Sequence, residues 1–254
     1  MVLRIKHFVV FITIGCLFSC NEKQPKLSQI VASQVQIDSS FATSDSVEAF
    51  LHPYSKRLNR VLDSTLAYAP KKISKGDGEY NTTAGNLLAD IMLSETQPIF
   101  ESRTGKDIDF VLFNHGGIRS ILSKGKVSAR NAYEVMPFEN TVAVVALKGS
   151  SVHGLVSYLV RTKRAHPISG MQVILNRNGS LKSATIQGKP IDDSRVYYVA
   201  TSNYLVSGGD NMIFFKEALE VFETDYKIRN MLIDYFGKVD TLNPKIDDRF
   251  VRLK

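Results

Sequence analysis

The chain has 254 residues, 44% of them hydrophobic and 22% charged. That is enough apolar sequence to bury a core without staples, and it excludes collagen-like, mucin-like and wholly disordered classes. The formal charge is +7 and the pI near 9.3, yet the cations are scattered singly among acids, which argues against a nucleic acid polymer as partner.

The first segment carries Arg4 and Lys6, an apolar run from Phe8 to Phe18, and then Leu17-Phe18-Ser19-Cys20. A charged start, an apolar run too short to span a bilayer and a small residue before cysteine resemble a bacterial lipoprotein signal. The alternative is an ordinary secretory signal or a short anchor. The lipoprotein reading makes residues 1–19 a signal peptide, with Cys20 acylated and the chain held to a membrane of the cell envelope on its extracytoplasmic side. Cleavage leaves 235 residues and a charge of +5. With Cys16 removed and Cys20 acylated, no disulfide, thiol nucleophile or cysteine metal site is expected.

Residues 20–46 are rich in Ser, Gln, Asp and Lys and read as a tether, with one extended segment around Ile30 to Ile37. Residues 47–254 read as one domain. Phe50, Leu51, Tyr54, Leu58, Val61, Leu62 and Leu66 recur at helical spacing, predicting an amphipathic helix from Val47 to Ala67, ended by Pro70 and bent by Pro53. A second helix is predicted from Ala84 to about Glu95, capped by Thr82 or Thr83, with Pro98 beyond its end. Ile108 to Phe113 predicts a buried strand running into a glycine-rich loop. A short helix follows from Ser128 to Val135, a strand from Thr141 to Leu147 and a helix from Ser151 to Val160. Met171 to Leu175 and Leu181 to Ile186 read as a hairpin across Asn178-Gly179, and Val196 to Thr201 as a third strand. Helices near Glu217 to Val221 and Thr224 to Tyr235, and a strand near Phe250 to Leu253, complete an α+β domain with mixed β-sheets and packed helices.

Chemistry is carried most often by loops that leave strands, and three stand out. In Asn114-His115-Gly116-Gly117-Ile118-Arg119, two glycines admit a ligand close to the backbone, Asn114 offers an amide and Arg119 a guanidinium suited to phosphate; a plain Gly-Gly turn with a solvated Arg is the other reading. In Met136-Pro137-Phe138-Glu139-Asn140, Phe138 is either core or a stacking face. In Asn203 to Asn211, Asp210 either accepts bonds from vicinal hydroxyls or stabilises its own turn. Two aromatics, an Asn, an Arg and an Asp suit a base plus a sugar.

Four ordered stretches then carry a resemblance. Ala84-Gly85-Asn86-Leu87-Leu88-Ala89-Asp90, Asn114-x-Gly-Gly-Ile-Arg119, Tyr133-Glu134-Val135-Met136-Pro137-Phe138, and Asn203-Tyr204-Leu205 with Gly208-Gly209-Asp210 resemble the C-terminal, substrate-binding domain of the 5′-nucleotidase / UDP-sugar hydrolase family. The resemblance runs over residues 45–254. It implies that Phe138 and Tyr204 sandwich a base and that Asn114 lies near base and ribose. Gly116 and Gly117 would line the site, with Arg119 toward the phosphate and Asp210 on the ribose hydroxyls. Tyr80 and Asn81 stand where the family often has an Arg followed by an acid, so one phosphate contact is expected to be missing.

The family also has an N-terminal metallophosphoesterase domain whose two metal ions activate water. None of His7, His52, His115, His153 and His166 lies in its metal patterns. Gly116 stands where an acid should follow Asn114-His115, and no Gly-x-Ser-x-Gly elbow exists for a serine hydrolase. His52, His153 and His166 read as surface or helix-face residues. The expectation is a recognition chain that binds a nucleotide or nucleoside, holds no metal and is inactive alone. A separate metallophosphoesterase polypeptide would supply two divalent metal ions. The rival expectation is a non-enzymatic nucleoside-binding or scaffold lipoprotein.

Overall fold

The computed structural model describes residues 27–254, so the signal-peptide reading and Cys20 lie outside the described residues. Two units divide after Phe50. In the first, residues 27–37 have no regular structure and every described side chain is exposed.

Helix α1 (Asp45–Leu62) begins two residues before the predicted start and ends five residues early, and none of its residues is buried. Arg130 ties its end down, donating to Asn59 at 2.7 Å and to Asp63. The chain then turns into strand β1 (Thr65–Ala69), which pairs antiparallel with β3 (Gly125–Ser128) and turns Ala67 and Ala69 into the core. That long-range ladder overrides the helical spacing that Leu66 continues.

Helix α2 (Thr83–Thr104) opens on the Thr82 cap, whose hydroxyl accepts from the Gly85 N–H. It corrects the expected stop: Pro98 lies inside it, and the helix runs on to a left-handed Gly105. Continuing past Pro98 buries Phe100 in the core, and Gln97 accepts from the Ile108 N–H at 2.8 Å, tying the helix to the next segment. The lost bond at Pro98 is outweighed by this packing.

A five-stranded sheet forms the centre. Its order is β10 (Glu220–Lys227), β4 (Thr141–Lys148), β9 (Val196–Ser202), β2 (Phe110–Leu112) and β5 (Ile168–Ser169). Val142 to Leu147 and Phe110 to Phe113 are buried, because β4 and β2 are covered on both faces. Helix α3 (Ala129–Val135) and helix α4 (Gly149–Thr162) match their predicted positions. The predicted hairpin is β6 (Met171–Leu175) with β7 (Leu181–Ile186), and Gly179 takes φ +83 in the turn. With β8 (Lys189–Pro190) and β11 (Phe250–Arg252), parallel to β6, it builds a four-stranded sheet.

The two helices predicted after residue 216 are corrected. Glu220–Lys227 is an edge strand antiparallel to β4, and only Ile228–Lys238 is helical, as α6. A short 3-10 turn, Ile213–Glu217, precedes the strand. An edge strand has one paired flank and a wet face, so its charged residues mask the period-2 signal. The register also breaks between Glu223 and Lys227, where Asp225 takes φ +59.

This topology gathers the three loops. β2 and β9 are parallel neighbours, so the segments that follow them leave at one end of the sheet. β4 is antiparallel to β9, so the segment that precedes it enters at that same end.

Candidate functional site

The loop after β2 makes a 3-10 turn at His115–Gly117 and lies against buried Asn114. Gly117 is required there: a Cβ would meet the Phe113 ring at 2.6 Å and Asn114 Oδ1 at 2.7 Å. Gly116 has more room, with Asp210 Oδ2 at 3.4 Å from such a Cβ. The loop after β9 is a four-residue helix α5 (Asn203–Val206), capped by the Ser202 hydroxyl, followed by Gly208 at φ +92. Asp210 and Asn211 are also left-handed, a conformation that Asp and Asn tolerate better than most residues. Gly209 lets the Tyr204 ring lie on the backbone, where an added Cβ would come within 2.4 Å of it.

A cavity of about 310 Å³ is lined by Asn114, Gly116, Gly117, Arg119, Phe138, Asn140, Tyr204 and Asp210. All seven predicted binding residues are therefore brought together, and Asn140 is added from the loop already singled out. Phe138 is not core, being 39% exposed, and Tyr204 is 44% exposed. Asn114 Nδ2 donates to Asp210 Oδ2 at 2.7 Å, and the Tyr204 hydroxyl donates to Oδ1 at 3.2 Å. Both carboxylate oxygens of Asp210 thus face the cavity wall, each oriented by a donor. Arg119 donates to the Gly116 carbonyl at 3.3 Å, and its guanidinium carbon lies 5.9 Å from the Phe138 ring centre.

The Phe138 loop is held from below by Glu139, which receives bonds from Lys227 and, at 2.6 Å, from Arg229. These bonds hold the Glu139 carboxyl down to about 2. Arg229 lies in turn over the Tyr133 ring at 4.2 Å, so the Tyr133-to-Phe138 stretch positions the loop through α6.

His166 corrects the sequence reading. It is 2% exposed, packs on the Tyr158 ring, and its Nδ1 accepts from the His115 N–H at 3.3 Å. The His115 ring donates through Nδ1 to the Ala165 carbonyl at 3.2 Å. Burial, with the neighbouring His115, pushes His166 down to about 4, and burial also lowers His115. Tyr158 completes the backing by donating to the Asp210 carbonyl at 2.9 Å. Sequence reasoning missed this layer because nothing local distinguishes a buried His after a helix from a surface one. His52 and His153 are exposed, as read.

Tyr80 and Asn81 do not line the cavity. Tyr80 packs on Phe250, and Asn81 donates to the Asp247 and Phe250 carbonyls at 3.0 and 2.9 Å. Asn86 and Asp90 of the first motif are structural too: Asn86 bonds Asn81 and the Lys245 carbonyl, and Asp90 pairs with Arg249.

Residues 66–217 match the family "5′-nucleotidase, C-terminal domain", and the chain belongs to that nucleotide-related family. Its relatives include protein UshA of Escherichia coli, 32% identical over 114 residues, covering 42% of this chain and 20% of UshA. A 5′-nucleotidase of Rattus norvegicus is 24% identical, covering 65% of this chain and 32% of the enzyme. The cell wall protein Lmo0130 of Listeria monocytogenes is 26% identical, covering 70% of this chain and 25% of that protein. The chain thus spans a fifth to a third of these relatives. The 5′-nucleotidase precursor of Thermus thermophilus shares the fold with a TM-score of 0.68 at 24% identity, over 82% of this chain and 43% of that one.

Proposed function

We propose that this cavity binds a nucleoside or nucleotide and that the chain is the recognition half of a 5′-nucleotidase-type phosphohydrolase. The observation that carries the reading is the convergence of Phe138, Tyr204, Asn114, Asp210 and Arg119 on one cavity. The base lies between Phe138 and Tyr204, with the Asn114 amide at its edge. Ribose hydroxyls donate to the remaining lone pairs of the Asp210 carboxylate, which Asn114 keeps in place, and the phosphate points to Arg119, which forms charge-assisted bonds.

Among the described residues no group of three or more His, Cys, Asp or Glu is placed to hold a metal ion. No metal-dependent step is therefore assigned to these residues. A partner metallophosphoesterase polypeptide with two divalent ions would supply the activated water. This chain contributes by fixing the nucleotide at that centre. Similarity to a cell wall protein supports an extracytoplasmic place for the pair, with Cys20 as the lipid anchor to the membrane.

Calorimetric titration of the purified chain with adenosine and AMP tests the reading. A stacking face contributes ~1–3 kcal/mol, so Phe138→Ala and Tyr204→Ala should each weaken binding about fivefold or more. Undiminished affinity in both variants overturns the sandwich. The chain alone should release no phosphate from AMP with any divalent metal; turnover by a clean preparation, abolished in Arg119→Ala, overturns the division of labour.

A further inference from the structure

Helix α1 reverses the usual orientation of an amphipathic helix. From Leu51 onward its apolar residues, Leu51, Tyr54, Leu58 and Val61, recur three or four positions apart and share one stripe. In α4 the same spacing carries Val152, Leu155, Val156 and Leu159 into the core. In α1 all four stripe residues are more than half exposed. The polar side is the one that docks: Asn59, about 100° round the helix from Leu58, and Asp63, just beyond the helix end, both accept bonds from Arg130 of α3. Held by its polar side, α1 keeps the stripe turned away from that contact.

Charge is distributed unevenly along the helix. Asp45 and Glu48 fall in its first turn, while residues 49–62 hold Lys56, Arg57 and Arg60 and no acid. Among the described residues none of these three cations forms an ion pair, although nine ion pairs occur elsewhere. Arg57 lies three positions after Tyr54 and one before Leu58, at the border of the stripe, where its stem can follow apolar surface while the guanidinium stays in water. An apolar stripe with an aromatic ring, cations beside and behind it and low overall hydrophobicity mark a helix that lies in a membrane interface. Anionic headgroups complement the three cations, which a purely apolar protein face would not. Among the described residues no helix is long and apolar enough to cross a membrane, so α1 would lie on the surface and not span it. Asp45 follows Cys20 by 25 positions, a contour of at most ~90 Å, which keeps α1 within reach of a membrane that holds Cys20.

We propose that α1 is a membrane-contact helix whose stripe of Leu51, Tyr54, Leu58 and Val61 enters the headgroup layer of an anionic phospholipid surface, with Lys56, Arg57 and Arg60 on the headgroup phosphates. Through Arg130 the helix then holds the domain against the membrane, where a tether alone would let it swing free. This role presupposes that the chain resides at a membrane, but neither an acyl group on Cys20 nor nucleotide binding is needed to test it, so its failure leaves the nucleoside reading standing.

The chain contains no Trp, so a single introduced Trp reports on one position. The full chain carrying either Leu58→Trp, on the stripe, or His52→Trp, on the other side of the helix, is mixed with vesicles of phosphatidylglycerol or of phosphatidylcholine, each with part of its acyl chains brominated to quench Trp at membrane depth. Both positions are exposed, so folding should be retained, with thermal unfolding as the check. In phosphatidylglycerol the emission of Leu58→Trp should move to shorter wavelength and be quenched at least about threefold more than that of His52→Trp. Phosphatidylcholine, or Lys56→Gln/Arg57→Gln/Arg60→Gln added to Leu58→Trp, should cut that quenching to about half or less. A charge-matched control on exposed lysines outside α1, Lys124→Gln/Lys182→Gln/Lys189→Gln, should leave it unchanged. Equal quenching at the two positions, equal quenching in the two lipids, or the same loss in the control overturns the assignment. So does the same short-wavelength emission of Leu58→Trp without lipid: dependence on protein concentration would give the stripe to a second copy, and independence to another segment of this chain.

Discussion

Asn114 and Asp210 stand 96 positions apart in sequence and meet at 2.7 Å, amide to carboxylate. This bond joins the loop after β2 to the loop after β9, and it fixes the carboxylate that faces the cavity. Asn114 is 5% exposed, so its amide depends on Asp210.

Removing that partner should be felt twice. Asp210→Ala leaves a buried donor unsatisfied, at a cost of about 1–3 kcal/mol, readable as a lower midpoint in urea. Wild type should also prefer adenosine to 2′,3′-dideoxyadenosine, and the variant should lose that preference. An unchanged preference would falsify the assignment of Asp210 to the sugar.

The two glycines of the turn should behave differently. Gly117→Ala forces a Cβ to 2.6 Å from the Phe113 ring, an overpacking expected to cost about 1–3 kcal/mol and to lower the melting temperature. Gly116→Ala meets nothing closer than the Asp210 carboxylate at 3.4 Å. It should melt near wild type and lose ligand affinity, because its methyl enters the cavity. Equal melting temperatures for the two variants would contradict the packing at Gly117.

Asn81 uses both ends of its amide, accepting from Asn86 at 2.8 Å and from the Asp247 N–H at 3.1 Å while donating to Asp247 and Phe250. Asn81→Ala orphans several buried groups and should destabilise by about 2–4 kcal/mol. Its adenosine affinity at low temperature should match wild type, since Asn81 does not line the cavity. Weakened binding by a folded variant would give Asn81 a role in the site.

His166 makes stability depend on pH. Its folded value of about 4 lies below that of an unfolded histidine, so the unfolded chain takes up a proton first as the pH falls. Stability is unaffected above about pH 7, declines between about 6.5 and 4, and has lost its full share, at most about 3 kcal/mol, below that window. The difference in unfolding free energy between wild type and His166→Asn, measured from pH 7.5 to 4.5, should shrink as the pH falls. A constant difference would show that His166 titrates like an exposed histidine.

What the sequence determined by itself was local. Alternation with Asn178-Gly179 defines the β6–β7 hairpin, Thr82 marks the start of α2, and Gly plus polar residues after an apolar run mark the loops of Asn114 and Asp210. Each is set by interactions within a few residues, where turn chemistry and capping act. The pairing of β1 with β3, the edge strand Glu220–Lys227, the passage of α2 through Pro98 and the burial of His166 were decided only in the tertiary structure. There the energy comes from partners far along the chain: a ladder to Val127, a register against Val144 and Val145, the pocket that takes Phe100, and the His115 N–H. Those gains outweigh the local preferences of the same residues, and no window of neighbouring sequence contains them.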